Sequence, residues 1–321
     1  MSAARPPEGA RTAARQGEGN PMSAVLSPVS LRMLLGSYHN TLPLKQGALH
    51  TPMLNIEFDP VKVANRAFKK AVRELAYDFA ELALVTFLQA KAAGKPLVLM
   101  PSVLGEGRFQ HHCLVCNAER GRITPSGLAG KRIGIRANSQ TTVTWVRGIL
   151  ADDYGVDLSR IHWVTFEDGH VAEFPDPPGM ERAAADKKQV DMLYSGELDL
   201  AILGSDLPDD PRLQSVIPDP QTAARDWSQR TGALTINHMM AVDMTLCRDR
   251  PDVVREVYRL LQESKRLAGL PDGDRDMTPS GLEPNRQALE ILIRYTHAQG
   301  LIPRRFSVDE LFDETTRYLP A

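Results

Sequence analysis

The stretch from Lys131 to Arg147, KRIGIRANSQTTVTWVR, constrains the fold more than any other part of the chain. Ile133 and Ile135 alternate as strand residues do. Val143, Val146 and Ile149 recur at helical spacing, so the apolar period changes from about two to about 3.6 residues across a short polar turn. A strand that runs straight into a helix belongs to an α/β architecture in which the helix packs back on the sheet. Asn138 or Ser139 is expected to cap that helix. The unpaired N–H groups of Gln140 to Thr142, the positive end of the helix dipole and the hydroxyls of Ser139, Thr141 and Thr142 all favour an anion at this junction. Trp145 lies one turn further on, placed either to line such a site or to pack in the core.

The chain has 321 residues, 42% hydrophobic and 24% charged, enough for one large core or two smaller ones in a soluble globular protein. A net charge of −2 with interspersed signs offers no basic stripe, which speaks against a nucleic-acid partner. No apolar run approaches the roughly 18 residues of a membrane span. Residues 1–28 carry almost no large apolar side chains and are expected to be disordered, with Met22 as an alternative start. The segment from Met22 to Leu35 is broken by Pro28 and Arg32, unlike the apolar core of an export signal. The first cysteine, Cys113, stands too late for lipid attachment, so the expected location is the cytoplasm. Cys113 and Cys116 look like a metal or redox pair beside His111 and His112. In a strand over Phe109 to Cys116, however, the two sulfurs would face opposite ways, which favours structural thiols and no bound metal.

Further elements follow from the same patterning. Strands are expected over Leu31–Tyr38, Tyr77–Leu82 and Leu97–Val103, and helices over Val85–Ala93, Pro251–Leu267 and Asn285–Gly300. Another helix is expected to start at an Asp59 cap with Pro60 in its first turn and to reach Glu74. An internal echo joins Tyr77-Asp-Phe-Ala-Glu-Leu-Ala to Leu198-Asp-Leu-Ala-Ile-Leu. It suggests two lobes of related build: residues 29–115 with 237–321, and residues 116–236, with a ligand cleft between them.

Several segments carry a family resemblance in shared order from Gly36 onward. They are Asn65-Arg-Ala-Phe68, Phe109 with His111, Gln140-Thr141 with Trp145-Val-Arg147, Ser195-Gly-Glu-Leu-Asp199, Asp219-Pro-Gln221, Asp226-Trp227, Arg230-Thr231, His238, and Arg304-Arg305 before Glu310-Leu-Phe312. The chain resembles the 4,5-dihydroxyphthalate decarboxylases of bacterial phthalate breakdown. The resemblance implies a two-lobed, type II periplasmic-binding-protein-like α/β fold and a cofactor-independent carboxy-lyase acting on a small hydroxylated aromatic carboxylate. The first loop departs from the family's usual Tyr-Asp-Arg-Thr-Arg-Pro-Leu, reading Tyr38-His-Asn-Thr-Leu-Pro-Leu44, and Gln110 stands where the family tends to have arginine. Arginine is the bidentate partner of carboxylates, so fewer or differently placed carboxylates on the substrate are expected.

Loss of CO2 from a hydroxylated benzoate needs a proton at the ring carbon and no redox cofactor, and the chain has no glycine-rich dinucleotide loop. His111 and His238 are the candidate proton donors, with His39 a third candidate in the first loop. Arg66, Arg108 and the turn of Ser139, Gln140, Thr141 and Thr142 are the candidate carboxylate anchors, and Trp145 a candidate wall of the cleft. The competing reading is a solute-binding protein of an ABC-type uptake system that holds an organic anion without turning it over. A cytoplasmic ligand sensor is a third, without an evident DNA-binding or signalling segment.

Overall fold

The computed structural model describes residues 27–105, 107–269 and 276–321. Apart from residues 27 and 28, the segment expected to be disordered lies outside the described residues, as does Met22. In chain order the strands are β1 (Val29–Leu34), β2 (Leu54–Phe58), β3 (Phe79–Ala83), β4 (Leu97–Leu104), β5 (Leu114–Asn117), β6 (Arg132–Ile135), β7 (His162–Thr165), β8 (Glu181–Arg182), β9 (Leu200–Ile202), β10 (Leu213–Ser215) and β11 (His238–Asp243).

They form two sheets, ordered β2-β1-β3-β11-β4 and β10-β5-β9-β6-β7-β8. In the first, β11 runs antiparallel to both β3 and β4; in the second, β5 runs antiparallel to both β9 and β10. Each antiparallel strand is the one laid down just after the chain crosses from the other sheet. The sheets therefore repeat one plan, with β1, β2, β3, β11 and β4 corresponding to β6, β7, β9, β5 and β10. The sequence echo falls on β3 and β9, the third strand of that plan in each lobe.

The largest apolar core joins the lobes. Trp145 and Trp227 are fully buried edge to face at 5.9 Å, Trp145 meets Tyr295 at 5.8 Å, and its indole N–H donates to the Ile236 carbonyl at 2.9 Å. The helix Thr141–Tyr154 thereby packs on the C-terminal helix Glu283–Ala298, and Arg294 and Tyr295 both bond Asp152, at 2.6 and 3.0 Å. No helix among the described residues is long and apolar enough to cross a membrane.

Two local expectations fail for physical reasons. Asp59 does not cap a helix: its carboxylate accepts from the Val61 N–H at 3.1 Å and the Tyr77 hydroxyl at 2.5 Å. It closes a turn after β2, and the helix begins only at a 3-10 turn over Ala64–Ala67 and continues as Phe68–Arg73. Cys113 precedes β5 instead of lying within it, so Cys113 and Cys116 share one apolar cluster as buried free thiols. Burial pushes the Cys113 thiol up to about 11.

Candidate functional site

The parallel strands β1, β3, β6 and β9 all point their carboxyl ends at the space between the two sheets. Ligands bind in that position in open α/β sheets. A cavity of about 270 Å³ lies there, walled from one lobe by residues after β1 and at the start of β11, and from the other by residues after β6 and β9.

On the first lobe's wall stands His238, half-buried at the first position of β11. It pairs in register with Ala83, and Glu81, two residues earlier on β3, shares the same sheet face. The His238 Nδ1 is 2.6 Å from Glu81 Oε1, which leaves Nε2 as the other ring nitrogen of this cavity-lining residue. Glu81 is completely buried, yet its carboxylate is well satisfied: besides His238 it accepts from the Gly36 N–H at 2.7 Å and the Tyr38 hydroxyl at 2.8 Å. A buried carboxylate bound to Nδ1 fixes the ring's orientation. The sequence reading missed Glu81, although the echo carried a signal for it: the matching place on β9 is Ile202.

The opposite wall is cationic. Arg108 and Arg136 line the cavity there, while the exposed Lys62, which comes from the first lobe beside Ser37, stands at the cavity's edge. The Arg136 Nε is buried without a hydrogen bond, and the nearest acid, Glu167, is 3.9 Å away. Arg108 lies over Gly204, where an added Cβ would come within 3.0 Å of its guanidinium. Arg136 was not anticipated; with Lys62 it supplies positive charge to a site whose first loop lacks the family's arginines.

The junction ending β6 does meet the cavity, through Gln140, Thr141 and Thr142, but its capping differs from expectation. Gln140, not Asn138 or Ser139, is the residue before the helix, with extended backbone and no side-chain cap. Asn138 is unavailable because its Oδ1 accepts from Arg147 Nη1 at 2.8 Å, while the Ser139 hydroxyl and Gln140 Oε1 are buried without partners. The first-turn N–H groups are thus left without a side-chain acceptor. Thr141 Oγ1 accepts from the Val85 N–H at 3.1 Å and Thr142 Oγ1 from Asn237 Nδ2 at 3.1 Å, so both hydroxyls also bond across to the first sheet's side.

Of the residues named from sequence, His238, Arg108, Gln140, Thr141 and Thr142 therefore meet at the cavity. Others lie elsewhere. His111 is buried against Trp227 and Phe109 with neither ring nitrogen bonded, and burial, then His112 and Arg230, push it down to about 4. His39 is exposed and bonds the Ala268 carbonyl at 2.7 Å, Arg66 is exposed beside the cavity residue Asn65, Ser139 sits behind the junction, and Trp145 is core. His170, unremarked in the sequence, reaches the cavity from the loop between β7 and β8. Among the described residues no group of three or more His, Cys, Asp or Glu side chains is placed to hold a metal ion.

No family model matches the chain. It is 28% identical over 326 residues to a 4,5-dihydroxyphthalate decarboxylase of Comamonas testosteroni, covering 89% of this chain and 97% of the relative. It is 31% identical over 219 residues to the protein of that name in Pseudomonas putida, covering 63% of this chain and 83% of the relative. Its fold is similar to that of the periplasmic aliphatic sulphonate binding protein of Escherichia coli, with a TM-score of 0.61, 13% identity and coverage of 90% and 93% of the two chains. The fold is thus the periplasmic-binding-protein type, and by sequence the chain belongs to the 4,5-dihydroxyphthalate decarboxylase family.

Proposed function

We propose that this protein is a non-oxidative decarboxylase of a small hydroxylated aromatic carboxylate, serving the breakdown of aromatic compounds. The observation that carries the reading is the buried Glu81 carboxylate holding His238 toward a cavity whose other wall bears Arg108, Arg136 and an uncapped helix start. The family's activity is of the same kind.

The chemistry assigns each wall a task. The cationic wall and the N–H groups of the Gln140–Thr142 turn hold a carboxylate of the substrate by charge-assisted hydrogen bonds. A ring hydroxyl ortho or para to the reacting carbon pushes electrons toward it, and the protonated His238 Nε2 delivers its proton to that carbon. The ring-to-carboxylate bond then breaks, its electron pair restores the aromatic ring, CO2 leaves, and water returns a proton to the imidazole. Glu81 keeps the ring oriented and offsets its positive charge before transfer.

The second reading, a protein that holds an organic anion without reaction, draws on the fold it shares with a solute-binding protein. CO2 release separates the two. Purified protein is expected to release CO2 from 4,5-dihydroxyphthalate or a hydroxybenzoate, and none from phthalate, whose ring has no hydroxyl to donate electrons. Tight binding of the hydroxylated acids with no CO2 above the uncatalysed rate would favour the second reading.

A further inference from the structure

The cavity holds a second imidazole, and it is built differently from the first. His170 comes from the loop between Thr165 and Glu181, and its Nδ1 is 2.8 Å from the hydroxyl of Thr86 on the helix Leu84–Ala92. Its ring meets Phe68 edge to face at 5.2 Å, and the same Phe68 meets His238 at 5.5 Å, so the two imidazoles flank one aromatic side chain at the cavity wall.

The loop that carries His170 is anchored on both sides. Arg73 donates to the His170 carbonyl at 2.8 Å and to the Gly169 carbonyl at 3.1 Å, Lys95 pairs with Glu173 at 2.7 Å, and Val171 packs in the core that joins the lobes. Gly169 passes so close to the β6 junction that an added Cβ would sit 3.0 Å from Ser139 Oγ. A ring held this firmly has its free edge set in advance.

We propose that His170 is a specificity-determining residue that bonds a ring hydroxyl of the substrate as a neutral imidazole, leaving proton delivery to His238. Where His238 leans on a carboxylate, His170 leans on a neutral hydroxyl. Burial, followed by the charges of Arg136, Lys69, His238 and Arg73, pushes His170 down to about 3, which suits hydrogen bonding and not proton storage near neutral pH. A buried imidazole left unpaired by a ligand without the hydroxyl would disfavour that ligand. The inference rests on the proposed substrate class but needs no turnover to be tested.

Rapid-mixing measurement of binding, read by tryptophan fluorescence before CO2 is released, with 4,5-dihydroxyphthalate and with phthalate is the experiment, because the two ligands differ only in their hydroxyls. Wild-type protein is expected to prefer the hydroxylated ligand. His170→Phe should lose about tenfold or more in affinity for it while phthalate affinity stays within about threefold. Thr86→Val, which leaves the ring in place and removes its support, should show a smaller loss of the same selectivity, so the test survives misfolding of the first variant. Equal losses for both ligands in a folded variant, or wild-type protein that binds the two equally or not at all, would overturn the assignment. Selective binding without CO2 release would leave His170 in this role and remove the decarboxylase reading instead.

Discussion

Glu81→Gln isolates the charge of the buried carboxylate while keeping its shape. Of the donors that Glu81 accepts, the Gly36 N–H at 2.7 Å cannot reverse, so the amide oxygen must face it. The new NH2 then faces the Tyr38 hydroxyl and His238 Nδ1, both of which can turn from donor to acceptor. The hydrogen bonds therefore survive in number, and stability should fall by no more than about 1–2 kcal/mol. What is lost is the negative charge beside the imidazole and the tautomer it enforces. A hydrogen bond to a charged group contributes about 1.5–3 kcal/mol, which converts to a kcat lower by about 10- to 100-fold. Steady-state CO2 release at neutral pH, with the melting temperature as a check on folding, measures this. A folded variant whose kcat stays within about threefold of wild type would refute the role given to Glu81.

Gly204→Ala places a methyl 3.0 Å from the Arg108 guanidinium, a flexible end that can move aside. The melting temperature should hold while KM rises by about three- to tenfold with kcat less affected, a split that steady-state kinetics reads directly. His111→Phe tests the cost of the buried, unbonded imidazole. Wild-type His111 is neutral in the folded protein until about pH 4 but takes up a proton near pH 6.5 once unfolded. The unfolded chain therefore binds more protons, and this stability contribution is fully present above pH 6.5 and is lost as pH falls toward 4, by about 1.4 kcal/mol per unit. Urea titrations at several pH values across that window should show a shallower acid loss in the variant; parallel curves would contradict the burial argument.

Legibility in the sequence followed locality. The β6-to-helix junction could be read because two apolar periods meet there, and its unpaired first-turn N–H groups belong to its own local backbone. Which residue caps it could not, since Arg147 claims Asn138 through a tertiary contact. Asp59-Pro60 reads locally as a helix start, and only Tyr77, brought alongside by β3, shows why it is a turn. His238 emerged through family likeness and Arg108 as an arginine suited to a carboxylate, whereas Glu81 was legible as an acid in an otherwise apolar strand and went unread. His170 and Arg136 depend on how the two lobes face each other, which no spacing along the chain encodes. His111 was named because its family motif and its predicted strand both suited a site residue, and the fold places it against Trp227, a contact set by the tertiary structure alone.

In the proposed reaction His238 delivers the proton that replaces CO2. That step is tested most directly by single-turnover CO2 release from protein saturated with a hydroxylated aromatic acid, comparing wild type with His238→Gln. The variant's rate should be lower by about 10²-fold or more with ligand affinity changed far less, as fits loss of a general acid. A rate within a few-fold of wild type, in a variant that still binds the acid, would contradict it.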